Sequence, residues 1–292
     1  MAERRSKDMI IKAEPRHLPT LIDYVYTCQH TGFYSGYLSL DKSKMMQELD
    51  TAVQQGEVWI AITQEVQGVL VGHYDKTRDV CDLAGPYVKH RDVSVGLELI
   101  DHWILSYPDT TRHQFFFDRQ SRYTLNLMAQ LQAVFKGHES ILRLERATFL
   151  ATEVHTDVKP MRLNQKEQVR TLHAAIFPDV YLSPEALTRE QPDHTVYVLN
   201  QHDTVIGYGL VKVTGTQASL EVFAIAKAHR GQHLAKPFIT TMIAETFALE
   251  DVNTVQLVVE NLNCVALNLY QSIGFTLHRE NCSYQLNPSG KR

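Results

Sequence analysis

The spacing of apolar residues divides the chain into helical and extended stretches that occur twice in the same order. Apolar residues recur at intervals of three and four over residues 15–28 and again over residues 165–176, which is typical of an amphipathic helix. Residues 56–62 and 194–199 are rich in β-branched and aromatic residues. Each is followed by a polar turn and a second extended stretch that contains glycine, which predicts a hairpin in each half.

Short sequence matches indicate that the whole architecture is repeated. Residues 89–96, Lys-His-Arg-Asp-Val-Ser-Val-Gly, align with residues 228–235, Ala-His-Arg-Gly-Gln-His-Leu-Ala, and Leu-Asn-Leu occurs at both 125–127 and 267–269. Both matches correspond to a shift of about 140 residues, and such self-similarity indicates one structural unit used twice. We therefore predict two tandem α/β (α+β) domains, residues 1–152 and 153–292, each a mixed, mostly antiparallel sheet flanked by helices.

Composition and charge argue against several classes of protein. Hydrophobic residues at 44% and charged residues at 21% are ordinary for a globular chain, and the net charge of -4 provides no basic surface for nucleic acid. No segment approaches the ~20 apolar residues of a membrane span, and the N-terminus does not resemble a secretory signal. The four cysteines form no Cys-x-x-Cys pair. We expect a reduced, cytoplasmic protein that contacts neither membranes nor nucleic acid.

A candidate anion site lies in the second half, where a strand predicted over residues 219–226 leads into a helix predicted from Arg230 to about residue 249. The first N–H groups of a helix lack intrahelical acceptors and lie at the positive end of its dipole, so they can bind a phosphate. Gly231 leaves the backbone accessible, and Arg230 and Lys236 add positive charge. Taken alone, the segment fits an ordinary helix start equally well.

A second segment decides between these interpretations. Residues 263–275, Asn-Cys-Val-Ala-Leu-Asn-Leu-Tyr-Gln-Ser-Ile-Gly-Phe, follow the strand predicted over residues 254–260. The segment matches every specified position of Asn-x-x-Ala-x-x-Leu-Tyr-x-x-x-Gly-Phe, and residues 230–235 match most of (Gln/Arg)-x-x-Gly-x-(Gly/Ala). Together the two segments resemble the GNAT superfamily of acyl-CoA-dependent N-acyltransferases. The resemblance covers residues 195–286, and the repeat extends it to a tandem, two-domain type.

The resemblance implies acetyl-CoA as co-substrate and direct transfer of its acetyl group to a primary amine of a small molecule or peptide. Tyr270 would be the general acid that protonates the departing thiolate. The implied cofactor-binding residues are Phe223, Ala224, Ile225, Arg230, Gly231, Gln232, His233, Leu234, Ala235, Lys236, Asn263 and Tyr270. A homodimer is compatible with the sequence. Two alternatives stay open: a non-catalytic acyl-CoA-binding or regulatory protein, and a transferase of larger acyl or aminoacyl groups.

The general base is less clearly defined. Glu221 lies within an apolar strand, where a lone carboxylate is costly without a partner or a function, and strand alternation predicts that it shares a face with Phe223 and Ile225. Some GNAT enzymes place a base at the corresponding position, so the resemblance favours Glu221, with Glu260 as the second candidate. A solvated edge glutamate is the alternative for Glu221, and a tyrosine packed on the sheet is the alternative for Tyr270.

The segment departs from the family pattern at His233, which occupies the position of the central glycine. A regular helix start needs no positive φ, so we expect His233 to fit there without strain. His229 and His233 are four residues apart, but no third ligand is evident, and no metal is expected.

The first half is predicted to lack the chemistry. In the alignment Asp92 stands opposite Gly231, Ser94 opposite His233 and Met128 opposite Tyr270. A carboxylate repels a pyrophosphate and also caps helix N–H groups, and methionine cannot donate a proton. We expect this half to be a scaffold that covers part of the other half's sheet and helps to form the acceptor pocket.

Overall fold

A computed structural model describes residues 9–108, 112–152, 154–155, 157–178 and 182–287. The chain divides into two compact units. Unit 1 extends to Glu139 and includes the C-terminal residues from Glu280 onward, and unit 2 is Ser140–Arg279. The domain boundary between residues 152 and 153, inferred from the repeat, stays a prediction.

The strands and helices of the described residues follow in chain order. The strands are β1 (Met9–Lys12), β2 (Val58–Ile62), β3 (Val66–Asp75), β4 (Val80–Val88), β5 (Arg112–Asp118), β6 (Val134–Glu145), β7 (Val158–Pro160), β8 (His194–Gln201), β9 (Thr204–Thr214), β10 (Gln217–Ile225), β11 (Thr254–Glu260) and β12 (Thr276–Leu286). The helices are α1 (Leu18–His30), α2 (Lys42–Gln54), α3 (Val93–Ser106), α4 (Arg122–Gln130), α5 (Lys166–Ile176), α6 (Pro184–Leu187), α7 (Ala235–Phe247) and α8 (Cys264–Ile273).

Unit 1 is a sheet with helices on both faces. Its strands lie in the order β1-β2-β3-β4-β5-β12. Strands β4 and β5 are parallel, and the other neighbouring pairs are antiparallel. Helices α1 and α2 pack on one face through residues such as Leu21 and Leu49. Helices α3 and α4 pack on the other through residues such as Trp103 and Leu127.

Unit 2 has the same layers. Its strands lie in the order β6-β11-β10-β9-β8-β7, and β10 and β11 are again the parallel pair. The face of α5 and α6 contributes Val169 and Leu187 to one core, and α7 contributes Phe238 and Met242 to the other. The predicted fold class, two tandem domains with mixed sheets flanked by helices, is confirmed. No helix in the described part of the chain has the length and apolar character needed to cross a membrane.

The last strand links the C-terminus to unit 1. Residues Asn281–Leu286 of β12 pair antiparallel with Asp118–His113 of β5, and Cys282 and Leu286 are buried in the core of unit 1. The C-terminal residues of the chain therefore complete the sheet of its first unit.

Candidate active site

The site of unit 2 begins where two parallel strands separate. Strand β10 pairs with β11 only from Gln217 to Ser219. From Leu220 to Ile225 it continues to pair with β9 alone. Beyond Ser219 the edge of β10 that faced β11 has no strand partner among the described residues. Backbone groups of the segment Phe223–Ile225 that lie on that edge are therefore open to a ligand, except that the Ile225 carbonyl accepts from Arg230.

A β-bulge places Glu221 at the start of this opening. The register between β10 and β9 shifts between Leu220 and Val222, so Glu221 is the extra residue. The shift reverses the alternation: Leu220, Phe223 and Ile225 belong to one core, whereas Val222 packs against the core on the opposite face of the sheet. The expectation that Glu221 follows the simple alternation with Phe223 and Ile225 was therefore wrong.

The side chain of Glu221 is exposed rather than buried. The argument that its carboxylate is costly in an apolar strand is therefore wrong, and the bulge is the feature that distinguishes the position. Glu260, at the end of β11, is also exposed and is absent from the residues that line the cavity described below.

An open turn separates β10 from α7. The helix predicted to start at Arg230 begins at Ala235. At its start the Phe238 N–H donates to the Leu234 carbonyl at 3.1 Å. Among the described residues, the backbone N–H groups of Gly231, Gln232, His233, Leu234 and Ala235 donate no hydrogen bond of ordinary geometry. We call residues Gly231–Ala235 the amide turn. No side chain caps α7, so its N-terminal amides face a space that no cap occupies.

Two residues of the amide turn have positive φ, which is why the helix starts late. Gly231 has φ +76°, and a Cβ added there would have no heavy atom within 4 Å. His233 has φ +57°. The expectation that His233 would be accommodated without strain was wrong, because the left-handed region costs roughly 1 kcal/mol for a residue with a Cβ.

The charge around the amide turn is positive. Residues 227–236 contain Lys227, Arg230 and Lys236 and no carboxylate. The Arg230 Nε donates to the Ile225 carbonyl at 3.0 Å, which ties the turn to the end of β10. Positive side chains and unpaired amides together form the kind of surface that binds a phosphate ester.

Tyr270 lies on α8, whose ends are fixed by residues of the second motif. Asn263 is the N-cap, and its side chain accepts from Ala266 N–H at 3.1 Å. Gly274 ends the helix with φ +111°. The ring of Phe275 then packs edge-on against the ring of Tyr270 at 5.8 Å. Capping alone accounts for Asn263, so its contact with a cofactor stays a prediction.

Tyr270 and Glu221 line the same cavity, which has a volume of about 170 Å³. Its lining consists of His173, Phe177, Leu182, Leu220, Glu221, Val222, Phe223, Val258 and Tyr270. Burial raises the pKa of Tyr270 to about 12, so its hydroxyl stays protonated at neutral pH. The structure therefore brings a carboxylate and a protonated phenol to one pocket beside the opening between β10 and β11.

Sequence reasoning missed His173. This fully buried residue of α5 is hydrogen-bonded through Nδ1 to the Tyr208 hydroxyl at 2.6 Å and through Nε2 to the Leu182 carbonyl at 2.7 Å. Because a carbonyl only accepts, Nε2 carries a proton and donates to the Leu182 carbonyl. The available signal was a histidine four residues after Val169, on the apolar face of a predicted helix.

The segment between α5 and α6 contributes to the cavity. Phe177 and Leu182 line it, whereas residues 179–181 lie outside the described residues.

In unit 1 the corresponding opening is filled by the chain itself. Strand β4 pairs with β5 only as far as Leu83 and Phe115. Beyond that point Gly36 N–H donates to the Phe116 carbonyl at 2.8 Å, and Ser35 forms a bridge with Phe117.

The amide turn has no counterpart in unit 1. Only Asp92 separates the turn Lys89–Arg91 from α3, whereas five residues precede α7 after the turn Lys227–His229. The residue-by-residue alignment of Asp92 with Gly231 and of Ser94 with His233 was therefore wrong. Asp92 is the N-cap of α3 and accepts from the backbone N–H of Ser94 at 3.0 Å, so a carboxylate already occupies this helix N-terminus. Met128 is buried in the core.

No metal site is evident within the described residues, since no three His, Cys, Asp or Glu side chains converge there.

Comparisons with known proteins agree with this geometry. Residues 166–275 match the acetyltransferase (GNAT) family model. A tandem GNAT protein from the clavulanic acid biosynthesis pathway superposes with a TM-score of 0.75 at 13% identity, over 98% of this chain and 100% of that one. A GCN5-related N-acetyltransferase from Sphaerobacter thermophilus gives a TM-score of 0.70 at 13% identity, over 98% of both chains.

A GNAT-family acetyltransferase from Colwellia psychrerythraea is similar at a TM-score of 0.58 and 15% identity, over 96% of this chain and 100% of that one. No curated protein matches the sequence. The chain has the fold of a tandem GNAT protein. Residues 166–275 are similar to the acetyltransferase (GNAT) family, whose members use an acyl-CoA as co-substrate.

Proposed function

We propose that unit 2 is an N-acetyltransferase that moves acetyl from acetyl-CoA directly to a primary amine. The observation that supports this most is that Glu221 and Tyr270 share one cavity, beside an open strand edge and an amide turn that no side chain caps. The pyrophosphate would bind the N–H groups of Gly231–Ala235. The pantetheine arm would follow the open edge of β10, where Phe223, Ala224 and Ile225 offer backbone groups.

In the proposed reaction, the Glu221 carboxylate first takes a proton from the incoming ammonium group. The neutral amine then attacks the thioester carbon, and a C–N bond forms as the C=O electrons move to oxygen. On collapse of this intermediate the C–S bond breaks, and Tyr270 donates its proton to the departing sulfur. The second N–H proton returns to the tyrosinate through the site, so one amide, one free CoA thiol and one released proton result.

Unit 1 is proposed to be silent toward acetyl-CoA. Its strand opening contains the segment around Ser35 and Gly36, and its helix N-terminus is capped by Asp92. Neither surface is left for a phosphate or a pantetheine arm.

One substitution tests the amide turn directly. Gly231→Asp adds a carboxylate there, and we expect the affinity for acetyl-CoA in isothermal titration to fall at least about tenfold, because the charge repels the pyrophosphate. Gly215→Asp is the matched control, since Gly215 also has positive φ (+58°) and open space but lies outside the turn. Equal losses in the two variants would contradict the assignment of the phosphate site.

Turnover is measured by the loss of thioester absorbance in the presence of a panel of primary amines. A thiol reagent is less suitable, because Cys264 is exposed and would react with it.

His233 favours a second candidate, an acyl-CoA-binding protein without turnover. The backbone of His233 is left-handed within the amide turn. Its imidazole can hold the cofactor away from Tyr270. Tight binding of acetyl-CoA without turnover of any amine would support this candidate over the transferase.

A further inference from the structure

The cavity of unit 2 is small and opens to solvent. Its volume of about 170 Å³ is close to that of an apolar cavity of about 150 Å³ that accommodates benzene. The cavity therefore accommodates a body of about one six-membered ring.

Most of the residues that line the cavity have apolar side chains. Six of the nine lining residues are Phe177, Leu182, Leu220, Val222, Phe223 and Val258. Enclosing an apolar body there contributes roughly 25 cal/mol for each Å² removed from water. A hydroxyl or a second ammonium group placed against the same walls loses its water without gaining a partner.

His173 also lines the cavity but offers no free polar group of its ring to a ligand. Both of its ring nitrogens are already hydrogen-bonded, to Tyr208 and to Leu182. An acceptor molecule therefore finds no vacant nitrogen on this ring.

The lining contains one carboxylate, that of Glu221, and no cationic side chain among the described residues. A carboxylate at an apolar pocket complements an ammonium group. A long acyl tail in the same space would bring hydrocarbon against that charge.

From this combination we propose that the acceptor is a primary amine carried on one compact apolar body, such as a short arylalkylamine or a branched alkylamine. The apolar body would occupy the cavity and the ammonium group would face Glu221. This proposal rests on the proposed transferase function of the same site. Polyamines, amino sugars and peptide lysines are the acceptors that it disfavours.

The test compares primary amines with acetyl-CoA fixed at saturation. We expect kcat/KM for phenethylamine and isopentylamine to exceed that for spermidine, glucosamine and Nα-acetyl-lysine amide by at least about tenfold, since one missing apolar group in a pocket changes kcat/KM by roughly 10- to 200-fold. Higher kcat/KM for the polar amines would overturn the inference and leave the transferase function standing.

A space-filling variant tests whether the cavity is the selective element. Val258 is 52% exposed and lines the cavity, so Val258→Phe reduces the space with little risk to folding. We expect this variant to lower the ratio of kcat/KM for phenethylamine to kcat/KM for ethylamine at least about tenfold. Val134→Phe is the matched control, because Val134 is also 52% exposed and does not line the cavity. Equal losses for both amines in Val258→Phe would contradict the proposal.

Two further measurements distinguish failure of the inference about the acceptor from failure of the proposed transferase function. If hexanoyl-CoA is a better donor than acetyl-CoA and Val258→Phe abolishes that preference, the cavity holds the acyl chain and the inference is wrong. If no amine is turned over, the proposed function fails. The inference is then decided by calorimetry with phenethylamine on CoA-saturated protein, where absence of binding overturns it.

Discussion

The hydroxyl of Tyr270 holds its proton more tightly than a free phenol does, because burial raises its pKa to about 12. A thiol has a pKa near 8.5, so complete transfer of this proton to a free thiolate is unfavourable by about 5 kcal/mol. A phenol with its ordinary pKa near 10 would leave a smaller gap. Tyr270 is therefore expected to act as a protonated hydrogen-bond donor to the sulfur, and to release its proton only as the amine proton replaces it.

We predict that Tyr270→Phe lowers kcat by roughly 100-fold, with little change in KM for acetyl-CoA, because the lost group acts on the leaving sulfur and not on the bound nucleotide. Steady-state kinetics measure both constants. Tyr197→Phe is the control, since Tyr197 is a buried tyrosine of the same unit that does not line the cavity. In the wild-type protein no fall in rate from loss of the Tyr270 proton is expected below about pH 11. An alkaline fall near pH 9 that Tyr270→Phe removes would contradict the assignment.

His233 is the other residue whose backbone conformation affects function. We predict that His233→Gly lowers KM for acetyl-CoA several-fold, because it removes both the left-handed strain and the imidazole from the amide turn. His202→Gly gives the same backbone relief at φ +47° in the turn between β8 and β9, so it should leave KM unchanged. Similar KM effects in both variants, from acetyl-CoA titrations, would exclude a specific role for His233.

At the scale of elements, the sequence predicted helices α1 and α5 and the hairpins β2–β3 and β8–β9, because each pattern corresponds to one buried face, whereas α2 was not predicted. Helix α8 was predictable in detail, since Asn263, Gly274 and Phe275 act locally at its ends. The bulge at Glu221 was not, because it depends on the register that β10 adopts with β9. The pairing of His173 with Tyr208 was equally hidden, since it joins residues of α5 and β9.

The approach of α3 to the sheet of unit 1 depends on a glycine. A Cβ at Gly72 of β3 would overlap the indole of the fully buried Trp103. We predict that Gly72→Ala lowers the free energy of unfolding by about 2 kcal/mol, because the rigid indole must move in a close-packed core.

The matched control is Gly137→Ala, where an added Cβ has no heavy atom within 4 Å. Denaturant unfolding followed by tryptophan fluorescence measures the change, since Trp59 and Trp103 are the two tryptophans of the chain and both lie in unit 1. Equal stability of Gly72→Ala and the control would show that α3 can move away without cost.

For the molecule as a whole, acid stability is expected to depend on His113 of β5. Its ring is buried, neither nitrogen has a hydrogen-bond partner among the described residues, and burial lowers its pKa to about 4. Because the folded pKa lies below the unfolded value of about 6.5, the unfolded chain binds more protons between these values. The native state therefore loses stability as the pH falls from about 6.5 to about 4.

We predict that His113→Leu removes on the order of 2 kcal/mol of this pH dependence. Denaturant midpoints of unit 1 at pH 7 and at pH 4.5 measure it through tryptophan fluorescence. If the denaturant midpoints of the wild-type protein and the variant differ by the same amount at both pH values, the role assigned to His113 is contradicted.

Tryptophan fluorescence also tests the pairing of β12 with β5. The repeat in the sequence could not reveal this pairing, because the two strands are more than a hundred residues apart in the chain. Deleting residues 280–292 removes the part of β12 that pairs with β5 and exposes core neighbours of Cys282 and Leu286. Loss of a buried leucine alone costs about 2 kcal/mol or more. We therefore predict that this deletion at the C-terminus lowers the unfolding midpoint reported by Trp59 and Trp103, in unit 1.

Deleting residues 288–292 is the control, because it leaves the paired strand Asn281–Leu286 intact. A synthetic peptide spanning residues 280–287 should restore the midpoint of the longer deletion when added in excess, since it supplies the missing strand in trans. Failure of the longer deletion to shift the tryptophan signal would mean that β5 needs no partner on that edge. The C-terminal strand would then be dispensable for the fold of unit 1.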